Sequence, residues 1–181
     1  ETRRVLGVIR PTAECIGQIT HSRHVGILAT SGTISSGSYP LEIRKLYPDI
    51  VVSGEACPMW VPLVENYEYD SPGADYFVEK RIGNLLRKDP AIDTIVLGCT
   101  HYPLLLNKIL KYTPRNVRIV PQGEYVAYSL KDYLQRHTEI ETLCTQSGTC
   151  RFLTTESPDK FMESASIFLR QHVEAERVVL E

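Results

Sequence analysis

Apolar residues in this chain fall into short continuous runs separated by longer stretches in which they recur at every third or fourth position. The runs at residues 4–9, 24–30, 50–53, 94–97 and 117–120 predict strands, because a strand buried on both faces shows continuous apolar character instead of alternation. The stretches between them read as helices. One starts at Pro11-Thr12-Ala13-Glu14 and runs through Ile19. A second follows Ile34 and runs through Leu46, and Cys57 to Glu65 is an apolar segment with an acid at its end. Ser71-Pro72-Gly73 signals a turn, and a helix over about 74–87 puts Phe77, Val78, Ile82, Leu85 and Leu86 on one side. Residues 104–110 continue as a helix that Pro114 ends. Gln122-Gly123-Glu124 reads as a turn, and a helix over about 124–137 aligns Val126, Leu130 and Leu134 in one stripe. A strand at 151–154, a helix with Ser157 as N-cap and Pro158 in its first turn, and a closing strand at 177–180 complete the pattern. Phe161, Ala165, Phe168 and Leu169 mark the inner face of that last helix. Strands alternating with helices predict an α/β fold: an open parallel sheet with flanking helices and right-handed crossovers. The two short strands and two amphipathic helices after Gln122 are too small for a core of their own and read as an incomplete part of a second α/β lobe.

The chain is organised around Asp93-Thr94-Ile95-Val96-Leu97-Gly98-Cys99-Thr100-His101-Tyr102-Pro103-Leu104-Leu105. It reads as strand, loop and helix, with Pro103 suited to a first helical turn because its missing N–H is not needed there. The polar triplet therefore falls at the carboxyl end of a strand, where open α/β sheets bind ligands and the next helix points its N–H groups. Cys99 beside a helix start is expected to have a pKa below the free value of roughly 8.5, so that it cycles between base and acid. Thr100 offers a hydroxyl and an N–H to a carboxylate, and His101 can donate or hold a proton. The three residues also fit a packing role, since free cysteines are often inert core groups, and the segment alone leaves both readings open. Glu65 is either solvated at a helix end or held in a pocket. Thr30-Ser31-Gly32-Thr33 at another strand end suits an anion or an ordinary N-cap.

Composition narrows the classes. Of 181 residues, 43% are hydrophobic and 23% charged, as in an ordinary globular protein of one domain or one and a part. A formal net charge of −2 argues against nucleic acid as a partner. No apolar run approaches the roughly 20 residues that cross a bilayer, so no membrane role is expected. No phosphate-loop or dinucleotide pattern indicates a nucleotide cofactor. The five cysteines, Cys15, Cys57, Cys99, Cys144 and Cys150, lack zinc-ligand spacing and point to a reduced, cytoplasmic setting. Cys144 and Cys150 flank a predicted turn and are expected to be packing thiols on a hairpin. The start at Glu1, leading almost at once into a strand, suggests a fragment.

These residues carry a resemblance. Leu97-Gly98-Cys99-Thr100-His101-Tyr102-Pro103-Leu104-Leu105 resembles the second-cysteine signature of the glutamate racemases, in the aspartate/glutamate racemase superfamily. Gly7-Val8-Ile9, Ala29-Thr30-Ser31-Gly32-Thr33-Ile34, Ala56-Cys57-Pro58 with Val61-Pro62-Leu63-Val64-Glu65, and Gln122-Gly123-Glu124-Tyr125-Val126-Ala127 agree in order and spacing. The resemblance implies a bacterial, cytoplasmic isomerase without a cofactor or metal that interconverts L- and D-glutamate for peptidoglycan and cell-wall synthesis. It implies two cysteines on opposite faces of the substrate Cα. Cys99 matches the second, His101 the histidine that assists it, Thr100 a residue on the substrate carboxylate, and Glu65 a carboxylate in the cleft.

The Asp-Ser-Gly strand end and the first-cysteine motif of that family do not occur here. The resemblance therefore implies that residues 1–122 are the second lobe. Residues 123–181 are the returning segment of the first lobe without its N-terminal strands, and the chain alone is expected not to racemise glutamate. Two alternatives stand beside this reading. One is a non-catalytic substrate-binding or domain-swapped assembly module, for which exposed apolar stripes invite a homodimer. The other is an aspartate or hydantoin racemase.

Overall fold

The computed structural model describes residues 5–180. It divides into two compact units, one up to Tyr133 and one from Leu134 onward. In the first, α1 (Ile9–Ile19), β1 (His24–Ala29), α2 (Ser31–Ser36), α3 (Ser38–Leu46), β2 (Val51–Ala56), α4 (Trp60–Glu65) and α5 (Pro72–Lys88) lead to β3 (Thr94–Leu97). A 3₁₀ turn over Tyr102–Leu105, α6 (Leu106–Tyr112), β4 (Arg118–Pro121) and α7 (Gln122–Arg136), which runs past the boundary at Tyr133, follow. All four strands are parallel, in the order β2-β1-β3-β4. This is the α/β fold that the alternating pattern predicts.

The alternation along β1 divides the core between the two sheet faces. Val25, Ile27 and Ala29 join Ala13 and Ile16 of α1 and Tyr39 and Ile43 of α3 in one buried cluster. Gly26 faces the other way, and a Cβ there would lie 2.7 Å from the Leu85 side chain of α5. Val78, Ile82 and Leu85 of α5 are buried, so helices cover both faces. Continuous burial of Thr94 through Leu97 is the origin of the unbroken apolar run in β3.

Four expectations for these elements are corrected. Residues 5–9 form no strand: Val5 is fully exposed, Leu6 and Val8 are about half exposed, and α1 already begins at Ile9. Both edges of β1 are taken by β2 and β3, and Pro11 favours an early helical turn. Arg4, the first residue of that predicted strand, lies outside the described residues. The predicted turn at 122–124 is instead the first turn of α7, which follows β4 without a break. The helix before Leu46 is split by Gly37, whose φ of +64° ends α2 and opens α3. The strand at 50–53 runs on to Ala56 because β1 pairs with it along its full length, through Ala29 opposite Ala56.

The second unit holds α8 (Thr138–Glu141), β5 (Phe152–Thr154), α9 (Pro158–Leu169) and β6 (Ala175–Arg177), with β5 and β6 parallel. Its closing strand therefore lies earlier than residues 177–180. Phe152 packs on Phe161 and Val173 is buried. Cys144 and Cys150 are free and exposed; α8 and not a strand precedes Cys144, and β5 after Cys150 pairs in parallel with β6, so the two form no hairpin and do not pack. The stripe on α7 is not buried: the helix has no buried residue, and Leu130 is exposed.

Candidate active site

In the order β2-β1-β3-β4, the chain leaves β1 in one direction for β2 and in the other for β3, which opens a crevice between the carboxyl ends of β1 and β3. Thr30 stands at one lip and Cys99 at the other. The Thr30 hydroxyl accepts from the Thr33 N–H and caps α2, the ordinary role foreseen for it. At the opposite lip the Gly98 N–H donates to the Leu28 carbonyl at 2.8 Å and carries the ladder one residue past β3. A side chain at Gly98 would meet the Ala29 Cβ at 3.1 Å and the Tyr39 ring at 3.1 Å, so only glycine fits without displacement.

Beyond Gly98 the backbone curls tightly. The Tyr102 N–H donates to the Cys99 carbonyl at 3.3 Å, and Leu104 N–H to the His101 carbonyl at 3.1 Å. The N–H groups of His101 and Tyr102 also face the Cys99 sulfur. Cys99 is half-buried. Its burial pushes the thiol pKa above its ordinary value, and the two N–H groups offset this only in part. The expected lowering of this pKa is thus reversed. The cause is the helix start: four residues of 3₁₀ turn carry little dipole to set against desolvation.

His101 joins the sulfur to a carboxylate. Its Nδ1 lies 3.8 Å from Cys99 Sγ, and its Nε2 lies 2.5 Å from Glu65 Oε1 at the end of α4. With Glu65 as acceptor, the neutral ring carries its proton on Nε2 and leaves the Nδ1 lone pair facing the thiol. Cys99, His101 and Glu65 thus form a relay able to take a proton from sulfur and return it. Glu65 is more than half exposed, so of its two readings the solvated helix end is correct, although it has a partner. Thr100 is exposed in the turn beside this relay.

The floor beneath the relay is apolar and tightly held. Tyr102 and Trp60 are wholly buried and meet edge to face, with ring centroids 4.8 Å apart. The Tyr102 hydroxyl donates to the Cys57 carbonyl at 3.3 Å, which ties the β2 end to the turn after Cys99. Cys57 itself is fully buried, and burial, with Glu55 nearby, drives its thiol pKa far up. Sequence reasoning missed two residues here. Tyr39 lies buried against Gly98, and Gln122, the first residue of α7, donates its amide to the Thr12 hydroxyl of α1 at 2.9 Å. Gln122 falls in a motif singled out for another reason, but nothing in the pattern around Tyr39 marks it. Among the described residues no group of three or more His, Cys, Asp or Glu is placed to hold a metal ion.

Known proteins resemble this chain in sequence and in fold. A glutamate racemase of Thermoanaerobacter sp. (strain X514) is 35% identical over 167 residues, 92% of this chain and 62% of the relative. The crystal structure of a glutamate racemase isoform from Bacillus anthracis matches with a TM-score of 0.87 at 31% identity, over 97% of this chain and 65% of that one. That of glutamate racemase from Thermus thermophilus in complex with beta-chloro-D-alanine matches with a TM-score of 0.76 at 30% identity, over 97% of this chain and 63% of that one. The chain thus spans less than two thirds of the length of these relatives. The profile described as Asp/Glu/Hydantoin racemase matches residues 5–124, and the chain belongs to that family.

Proposed function

We propose that this chain supplies one face of a cofactor-independent glutamate racemase that makes D-glutamate for peptidoglycan in the bacterial cytoplasm. The observation that carries the proposal is the relay from Cys99 through His101 to Glu65 at the mouth of the crevice. Cys99 as thiolate removes the α-proton or, as thiol, returns one. His101 holds the proton in between, and Glu65 orients the ring. Thr100 holds the substrate carboxylate with its hydroxyl and N–H. The α-proton of an amino acid is weakly acidic, so the carbanion needs fixed donors away from bulk water, and a half-buried sulfur flanked by two N–H groups suits that need. Relatives that bear the glutamate racemase name support glutamate over aspartate or a hydantoin. Binding measured with each of the three decides.

Residues 1–122 correspond in this proposal to a second racemase lobe, and 123–181 to the returning segment of a first. Inversion needs an acid on the far face of Cα. Cys57 is sealed in the core, and the first-cysteine motif of the family does not occur in this sequence. The chain alone therefore exchanges the α-proton of L-glutamate on one face without inverting it. In heavy water, proton NMR is expected to show loss of the α-proton signal at constant ellipticity, and Cys99→Ser is expected to abolish that loss. Inversion that depends on Cys99 overturns the one-face assignment, and an unchanged α-proton signal overturns Cys99 as the base.

One observation favours a second reading, a homodimer. Tyr128 and Leu130 on α7 are 73% and 45% exposed, on a helix with no buried side chain. Sedimentation at micromolar concentration is expected to give twice the chain mass, and a compact monomer removes this reading.

A further inference from the structure

The face of the sheet beneath α2 and α3 holds a pocket of about 140 Å³, lined by Ile27 of β1, Thr33 and Ile34 of α2, Tyr39 and Pro40 of α3, and Gly54 of β2. Ile27 and Tyr39 are buried, whereas the other four are half-buried, so one side of the pocket reaches solvent. None of Cys99, Thr100, His101 or Glu65 lines it. Gly54 makes the space. It stands inside β2 opposite Ile27, and its φ lies outside the left-handed region, so the backbone itself does not call for glycine. Gly26 on β1 is different: a Cβ there would meet Leu85 at 2.7 Å and crowd Ile95 and Ile92. One on Gly54 would meet only the Ile34 side chain, at 3.2 and 3.5 Å. A glycine inside a strand weakens it and marks places where a ligand or another backbone comes close. Among the described residues no backbone comes within 4 Å of that position.

We infer that this pocket is a binding site for a small neutral ring, aromatic or aliphatic, of about the size of benzene. A cavity of about 150 Å³ lined by aliphatic and aromatic side chains stays dry and takes up benzene. The pocket over Gly54 has that size and that lining. Its polar atoms already have partners: the Thr33 hydroxyl lies 3.0 Å from that of Thr30, and the Gly54 carbonyl accepts from Lys88 Nζ at 3.0 Å. Among the described residues no charged group lines it, so a carboxylate or ammonium entering there would shed its water without a counter-charge. That excludes an amino acid as the occupant. Ile34 packs from α2 onto the core cluster, yet α2 has only six residues and none of them is buried. A ring seated against Ile34 and Pro40 supplies contacts that α2 lacks and holds the helix to the sheet.

The probe is fluorobenzene, followed by fluorine NMR line broadening with the full chain. The parent chain is expected to broaden the signal saturably, with a Kd of about 0.1–1 mM for so small a ligand. At saturation, amide hydrogen exchange of residues 31–37 is expected to slow about threefold or more. Gly54→Val fills the pocket with only the end of Ile34 to displace, and is expected to weaken binding about tenfold or more. Ile34→Ala enlarges the pocket and is expected to admit indole, which the parent chain excludes. Far-ultraviolet dichroism confirms that each variant is folded. The inference is overturned if the parent chain shows no saturable broadening, if Gly54→Val binds as well as the parent, or if Ile34→Ala excludes indole. Displacement of the probe by glutamate also overturns it, because the pocket would then be part of the crevice. Exchange of the α-proton by Cys99 is read without the ring, so the two ideas fail by different results.

Discussion

Cys99 is pulled in two directions. Half-burial favours the thiol, the His101 and Tyr102 N–H groups favour the thiolate, and burial prevails. The sulfur is therefore protonated at neutral pH, and in the proposed mechanism its proton leaves through His101. Glu65 orients that ring from a position open to water, so its replacement affects chemistry more than folding. Glu65→Gln is expected to slow α-proton exchange about 10- to 100-fold, while the urea midpoint moves by less than about 0.5 kcal/mol equivalent. Exchange at the parental rate in this variant removes Glu65 from the relay. The residue types and their order were legible in the sequence, but the sign of the thiol shift was not. It depends on how deeply the turn packs over Trp60 and on a 3₁₀ start in place of an α-helical one, and neither is visible in residue spacing.

At the scale of elements, β3 was legible to the residue because a central strand buried on both faces leaves an unbroken apolar run. The run at 5–9 looked the same and is not a strand, since apolar character says nothing about whether a free sheet edge is available. Polar residues on β2 hid its length. Glu55 interrupts the apolar pattern, yet it is buried with its carboxylate bonded to Arg81, Asn84 and Lys88 of α5. Burial alone would raise its pKa, but the three hydrogen bonds outweigh it and hold the carboxyl below its ordinary value. This cluster clamps α5 to the sheet edge next to Cys57. Glu55→Ala leaves Arg81 with a lost partner inside the packing and is expected to cost about 1–3 kcal/mol in a urea titration. A loss under about 0.5 kcal/mol would mean that apolar contacts alone seat α5.

For the whole molecule, groups of opposite kind limit stability at the two ends of the pH scale. Asp75, bonded by Lys108, Lys111 and Tyr112, and Asp93, held against burial by Thr20, Ser22, Thr94 and His21, lie well below the usual carboxylate range, with Glu55 also lowered. Their stabilisation is complete above the unfolded values of about 4 and is lost as pH falls through the lower folded values. Cys57, Cys99 and Tyr102 are pushed up by burial, and Tyr39 is raised to about 12. In the unfolded chain such groups ionise from about pH 8.5 to 10, whereas the fold keeps them neutral, so stability is complete below those values and declines as pH rises through them. The single tryptophan, Trp60, is fully buried in the first unit and reports on that unit by fluorescence. Its urea midpoint is expected to be level between about pH 5 and 8 and to fall on both sides. Cys57→Ala removes one buried acid and should make the alkaline fall shallower, although the lost packing lowers the plateau by about 1 kcal/mol. A parent chain whose midpoint is unchanged up to about pH 10 would show that these thiols and phenols reach water in the folded state, and the tight floor beneath Cys99 would then have to be abandoned.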